Sequence, residues 1–88
     1  MTDDIYEHIL YDGRKFATMA QVEPALAERT LTINGVSKAY AMTGWRIGYL
    51  TGPASMLQVM APVQEAMASC VNSATQRAAL AALRGPQD

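Results

Sequence analysis

An α/β chain, with three short strands followed by two helices, is what this sequence of 88 residues predicts, and three observations carry that reading. Thr30-Leu31-Thr32-Ile33 alternates polar with apolar side chains, is β-branched at Thr30, Thr32 and Ile33, and runs into Asn34-Gly35, as a short strand does. From Ala54 the apolar residues Met56, Leu57, Met60, Ala61, Val63, Ala66, Met67 and Cys70 recur largely at three- and four-residue steps, the period of one buried helix face. Asn72-Ser73 then offers an N-cap for a second helix over Ala74–Leu83, which Gly85-Pro86 stops.

The remaining elements follow in chain order. Ile5–Leu10 mixes apolar and polar residues without a clean period and stops at Asp12-Gly13, so it reads as a strand end entering a short helical turn. Arg14–Glu28 contains Pro24 among scattered Ala, Met and Val, which predicts a loop with one short helix ending near Arg29. Asn34-Gly35 is also a hairpin-turn signal, but the residues from Ser37 to Arg46 lack the period of a returning strand, and a structured loop is expected there. Ile47–Leu50, closed by Thr51-Gly52-Pro53, is the third strand. Pro62 is expected to kink the first long helix because it removes a hydrogen bond. The ending Gly85-Pro86-Gln87-Asp88, directly after a helix stop, reads as a cut, so residues 1–88 are expected to form a single partial domain.

Composition narrows the function classes. Half the residues are apolar and 17% are charged, which is too hydrophobic for a disordered tail. Surface scaling lets a chain of this size bury only about 63% of its extended surface, a thin margin for independent stability. The net charge of -1 lacks the basic excess that phosphate-backbone binding needs, so no nucleic-acid role is expected. Cys70, the single cysteine, allows no internal disulfide and no multi-cysteine zinc site. The start Met-Thr-Asp-Asp has no signal-peptide character and no apolar run is long enough to span a bilayer, so the chain is expected to be cytoplasmic and without a membrane partner. Cys70 and the six methionines are expected to fill the core, and Tyr40 and Trp45 to pack. His8, the only histidine, has no Ser, Cys or Asp constellation around it, so no catalytic role is assigned to it.

The densest chemistry lies between Gly35 and Gly48. Lys38, one of only two lysines, follows a strand, and Arg46 stands eight residues later among Gly35, Gly44 and Gly48. In apolar, glycine-rich surroundings desolvation disfavours an ammonium, so the neutral amine becomes a nucleophile for carbonyls. An arginine beside it suits a small phosphate, which guanidinium binds bidentately.

This run, Gly35-Val36-Ser37-Lys38 through Arg46-Ile47-Gly48, resembles the pyridoxal-phosphate attachment motif of the class I and II aminotransferases, small-x-small-Lys followed by Arg-hydrophobic-Gly. Asp3-Asp4-Ile5-Tyr6 is similar to the family's Asp-x-x-Tyr strand end, and Gly85-Pro86-Gln87-Asp88 is similar to one of its helix stops, so the resemblance spans essentially the whole chain. It implies a partial segment of the mainly parallel sheet in the large, cofactor-binding domain of fold type I, from the middle-to-late part of that domain.

The resemblance also implies roles. Lys38 would form the internal aldimine with pyridoxal 5′-phosphate and, once freed, shuttle a proton between the substrate Cα and the cofactor. Asp3 would pair with the pyridine nitrogen, Tyr6 would donate to the ring oxygen, and Arg46 would hold the phosphate. Many members carry a phosphate-binding serine three residues before the lysine, where this chain has Gly35, and Ser37 is the residue able to compensate. The implied reaction moves an amino group between an amino acid, aspartate-type or broad in range, and a 2-oxo acid, in an enzyme whose full-length members are homodimers. The family's early glycine-rich phosphate loop, ring-stacking aromatic, ring-oxygen asparagine and substrate-binding arginine are absent here, so the isolated chain is expected to be inactive. The alternatives are another activity on the same fold, a β-lyase or decarboxylase, since these four residues serve the cofactor and not the choice of bond, and a non-catalytic truncated chain that acts only by association.

Overall fold

Strand pairing orders everything that bears on the site. The computed structural model describes residues 1–87 and contains β1 (Thr2–Asp3), β2 (Thr32–Gly35) and β3 (Gly48–Thr51) in one sheet of that order. Asp88, the last residue of the expected helix stop, lies outside the described residues. β1 runs parallel to β2, with Thr2 opposite Thr32 and Asp3 opposite Ile33, and β2 runs antiparallel to β3, with Gly35 opposite Gly48. The sheet is therefore mixed, and the two long helices follow it, as the sequence predicts.

Local hydrogen bonding explains where the strands depart from expectation. No strand covers Ile5–Leu10: Asp3 Oδ1 accepts the Ile5 N–H at 3.2 Å, and turn bonds from Glu7 N–H to the Asp4 carbonyl and from Ile9 N–H to the Tyr6 carbonyl, each 2.9 Å, coil the chain away. The ladder is earlier, where the N–H groups of Thr2 and Asp4 donate to the carbonyls of Leu31 and Ile33 at 2.8 Å. β2 begins at Thr32 because Thr30 still belongs to the preceding turn, its hydroxyl donating to the Leu26 carbonyl at 2.8 Å. Asn34-Gly35 lies inside the strand and is not a hairpin turn. A Cβ on Gly35 would stand 3.2 Å from the Ile47 carbonyl oxygen and 3.4 Å from the Gly48 Cα, so glycine is what lets β2 and β3 approach there.

The helix near Arg29 exists but is split. α1 (Met19–Val22) is a single turn, and a 3-10 helix over Pro24–Arg29 follows. Proline at position 24 pushes Glu23 into an extended conformation, φ −137° and ψ 96°, which ends α1 and begins the next turn.

α2 (Ala54–Ala68) continues through Pro62, which cannot donate a backbone hydrogen bond at that position. The buried face predicted for α2 is not formed. Met56, Met60, Val63, Met67 and Cys70 are all exposed, Met67 by 82%, and only Leu57 of the apolar stripe is half-buried. A stripe becomes a core only when a facing layer packs against it, and among the described residues none packs closely on α2. Five of the six methionines and Cys70 are accordingly surface residues, and so is Trp45, at 47%, while Met42 and Tyr40 are half-buried.

The core is small. Val36 is fully buried and Ala79 nearly so, beside Asp4, Thr30 and Thr75. The exposed surface of 6832 Å² leaves only about half of the extended-chain surface buried, below the 63% that scaling allows. The radius of gyration, 14.4 Å, likewise exceeds the roughly 12 Å of a compact domain of this length.

α3 (Ser73–Arg84) is the best-specified helix. Asn72 Oδ1 accepts the N–H groups of Ala74 at 2.9 Å and Thr75 at 3.2 Å, and Pro86 forces Gly85 into the extended conformation that stops it. Between α2 and α3, Ser69 adopts φ 55° and ψ −131°, a conformation that favours glycine. Two substitutions in this link should have opposite signs: Asn72→Ala should lower the stability of the chain by about 1 kcal/mol, and Ser69→Gly should raise it by up to about 1 kcal/mol, both read by urea titration of the far-UV circular dichroism.

Candidate active site

Parallel pairing makes both β1 and β2 end at the same edge of the sheet, and α/β proteins bind ligands beyond the carboxyl ends of parallel strands. β1 ends in the turn that carries Tyr6. β2 ends at Gly35, and Val36 begins a turn in which the Tyr40 N–H donates to the Val36 carbonyl at 3.2 Å and the Ala41 N–H to the Lys38 carbonyl at 3.3 Å. Because β3 is antiparallel and starts opposite Gly35, the residues that precede it, Arg46 and Ile47, arrive at that edge too. Topology alone thus gathers the segments bearing Asp3, Tyr6, Ser37, Lys38 and Arg46.

Side chains complete the description. Lys38 Nζ stands 5.6 Å from the centre of the Tyr6 ring, within cation–π range, so the two residues chosen from distant motifs meet. Lys38 is exposed, and the apolar enclosure expected around it is not provided by the described residues; an aromatic face is its neighbour instead. Asp3 is exposed and Asp4 is buried, as neighbours at an extended strand end point to opposite faces. Ser37 is half-buried, one residue from Lys38. Arg46 sits in the left-handed conformation, φ 52°, after a 3-10 helix over Thr43–Trp45, and its Nη1 donates to the Thr43 carbonyl at 2.8 Å. A guanidinium has five donors, so the remaining ones are available to an anion.

One group of residues was not singled out by sequence reasoning. Asn34 Nδ2 donates to Glu7 Oε1 at 2.7 Å, the Gly35 N–H donates to Asn34 Oδ1 at 2.7 Å, and His8 Nε2 lies 3.5 Å from the same Glu7 oxygen. Nothing in the spacing of Glu7 and Asn34 announces the contact, because it depends on the parallel register. Tyr49, opposite Asn34 on β3, has its hydroxyl pKa raised by burial first, then by the negative charge of Glu7 and by Tyr40. Two hollows, of about 910 and 570 Å³, open on the described chain. The larger lies between Ile33, Leu50 and Met60, the smaller beside Trp45, Arg46 and Asn72, and neither is lined by Asp3, Tyr6 or Lys38. Among the described residues no cluster of His, Cys, Asp and Glu could hold a metal ion, and no helix is long and apolar enough to cross a membrane.

At this edge of an α/β sheet Lys38 meets Tyr6, and the segments bearing Asp3 and Arg46 end beside them. Comparison with known proteins names the family: the pattern describing the class I and II aminotransferases matches residues 1–88, and the chain belongs to that family. It is 61% identical to an aspartate aminotransferase of Rhizobium meliloti strain 1021 over all of its length, and 54% identical to an aspartate/prephenate aminotransferase of Cereibacter sphaeroides. The crystal structure of the Rhizobium meliloti aspartate aminotransferase superposes with a TM-score of 0.92 over 97% of the chain and 21% of that structure. The chain spans 22% of the length of both curated relatives.

The raised Tyr49 hydroxyl makes a pH prediction. A folded-state value above the unfolded value of 10.0 gives stability that is complete below pH 10 and is lost as the pH rises through the folded value. Tyr49→Phe should therefore lose less stability than the parent above pH 10, measured by urea titration at stepped alkaline pH.

Proposed function

We propose that these residues form a single partial domain carrying the lysine-bearing part of the active site of a pyridoxal-phosphate-dependent aminotransferase, acting in the cytoplasm on an aspartate-type or broad range of amino acids and a 2-oxo acid. The observation that carries this reading is the meeting of Lys38 and Tyr6 at the edge where the Asp3 and Arg46 segments also end. The names of the relatives, aspartate and aspartate/prephenate aminotransferase, support the choice of substrate class.

The donor set fits the cofactor. A carboxylate suits a protonated ring nitrogen, a phenol suits a ring oxygen, and an amine suits an aldehyde. A guanidinium and a hydroxyl suit a phosphate. When bound, pyridoxal 5′-phosphate supplies an electron-withdrawing ring that stabilises negative charge at the substrate Cα. Asp3 holds the proton on the ring nitrogen, and its exposure leaves a carboxylate oxygen free for that role. Tyr6 donates its hydroxyl proton toward the ring oxygen. Lys38 Nζ would hold the cofactor aldehyde, and its free amine would take and return a proton at the substrate Cα. Arg46, with donors beyond the one given to Thr43, binds the phosphate together with Ser37. Because these residues serve the cofactor, a β-lyase or decarboxylase reaction on the same fold remains the alternative chemistry, and amino-group transfer with retention of the substrate carbon skeleton is the product test.

A second reading rests on the uncovered face of α2, where Val59 is 74% and Met67 82% exposed, together with the unpaired outer edges of β1 and β3. The chain then acts through association with further chain of this fold, which in full-length members would also form the homodimer.

Borohydride reduction in the presence of pyridoxal 5′-phosphate, followed by peptide mapping, should place the pyridoxyl group on Lys38 in preference to Lys15; the reverse outcome would falsify the assignment. In a full-length enzyme carrying this segment, Asp3→Ala should lower kcat by orders of magnitude with the fold retained, because loss of the ring-nitrogen partner removes the electron sink. Asp4→Ala, at a buried position, should act chiefly on stability, and equal kcat losses in the two variants would count against Asp3. The purified 88-residue chain should transfer no amino group from aspartate, glutamate or alanine above a Lys38→Ala control, since catalysis needs a supporting shell that positions groups to within about 0.5 Å.

A further inference from the structure

The Lys38–Tyr6 contact is made by two turns that belong to different strands, and β1 is too short to hold them together alone. It contains two residues, Thr2 paired with Thr32 and Asp3 with Ile33; the N–H groups of Thr2 and Asp4 donate to the Leu31 and Ile33 carbonyls, and a Thr2–Thr32 hydroxyl contact of 3.3 Å lies beside them. Beyond its end, one side-chain hydrogen bond continues the tie. Glu7, next to Tyr6, accepts from Asn34 Nδ2 at 2.7 Å, and the other end of the Asn34 amide accepts the Gly35 N–H at 2.7 Å, immediately before the turn that carries Lys38. The bond is charge-assisted and half-buried, with the Glu7 side chain 31% exposed, so it is screened less than a surface pair. Tyr49 on β3 lies opposite Asn34, the residue that Glu7 accepts from.

We propose that Glu7 is a positioning residue for the candidate site: through Asn34 it holds the Tyr6 turn against the start of the Lys38 turn and thereby sets where Nζ stands over the ring. The inference rests on the cofactor reading above for its consequence, but the geometry it asserts can be measured without cofactor.

The test uses the 88-residue chain and its Glu7→Ala, Glu7→Gln and Asn34→Ala variants. Glutamine keeps an acceptor for Asn34 Nδ2 and alanine does not. In the cofactor-free chain, a nuclear Overhauser contact between the Tyr6 ring and the Lys38 side chain should be present in the parent and in Glu7→Gln, and lost in Glu7→Ala and Asn34→Ala. With pyridoxal 5′-phosphate and borohydride, the ratio of modification at Lys38 to that at Lys15 should fall about fivefold in Glu7→Ala, the worth of a hydrogen bond, and stay within about twofold of the parent in Glu7→Gln. A contact that survives in Glu7→Ala, or one that Glu7→Gln loses as completely as alanine does, overturns the proposal. Should Glu7→Ala lose its circular dichroism, Asn34→Ala decides, and a retained contact there overturns it. If the contact follows the expected pattern while Lys38 reacts no faster than Lys15 in the parent, the positioning role stands and the cofactor reading fails.

Discussion

The parallel register that sets Asp3 opposite Ile33 is the constraint on which the rest depends. Two strands that run the same way end at the same edge, so the turns that follow them are brought together although about thirty residues of chain separate them. Shifting that register by one residue would turn Asp3 to the face now taken by Asp4 and withdraw Tyr6 from Lys38. β3 adds its own segment only because Gly35 and Gly48 oppose each other without side chains.

A ladder this short cannot define such an edge alone. Residues usually counted as site or turn share the work: Asp3 accepts the Ile5 N–H and starts the first turn, Glu7 reaches Asn34, and Lys38 rests over Tyr6. The polar side chains at the edge therefore carry structure and candidate chemistry together. The hydrophobic contribution is correspondingly small, with Val36 the one apolar side chain fully out of water among the described residues. That is the economy of a segment whose apolar helix α2 presents its side chains to solvent and whose sheet has open edges on both sides.

The candidate residues were legible in the sequence because their signal is local. Lys38 and Arg46 are eight residues apart in a glycine-bordered loop, which residue type and spacing single out, and Asp3 and Tyr6, three apart, were marked by the resemblance to the family's Asp-x-x-Tyr strand end. The same holds for α3, where Asn72 bonds to Ala74 and Thr75 within one turn, and for the stop at Gly85-Pro86. Membership of the class I and II aminotransferases rests on such local patterns, now matched along the whole chain.

What the sequence by itself determined was therefore the identity of each local piece: three strands before two helices, the caps, and a lysine motif with its arginine. Tertiary structure alone decided the relations between pieces. The stripe on α2 fits a buried face equally well whether or not a partner layer exists, and only the fold reveals that among the described residues none covers it. Periodicity likewise cannot tell whether Lys38 is enclosed or exposed, nor that Glu7 meets Asn34, because both are consequences of how strands far apart in the chain align. Hydrogen bonds between neighbours are written in the order of residues, whereas burial and long-range contacts depend on which surfaces are brought face to face.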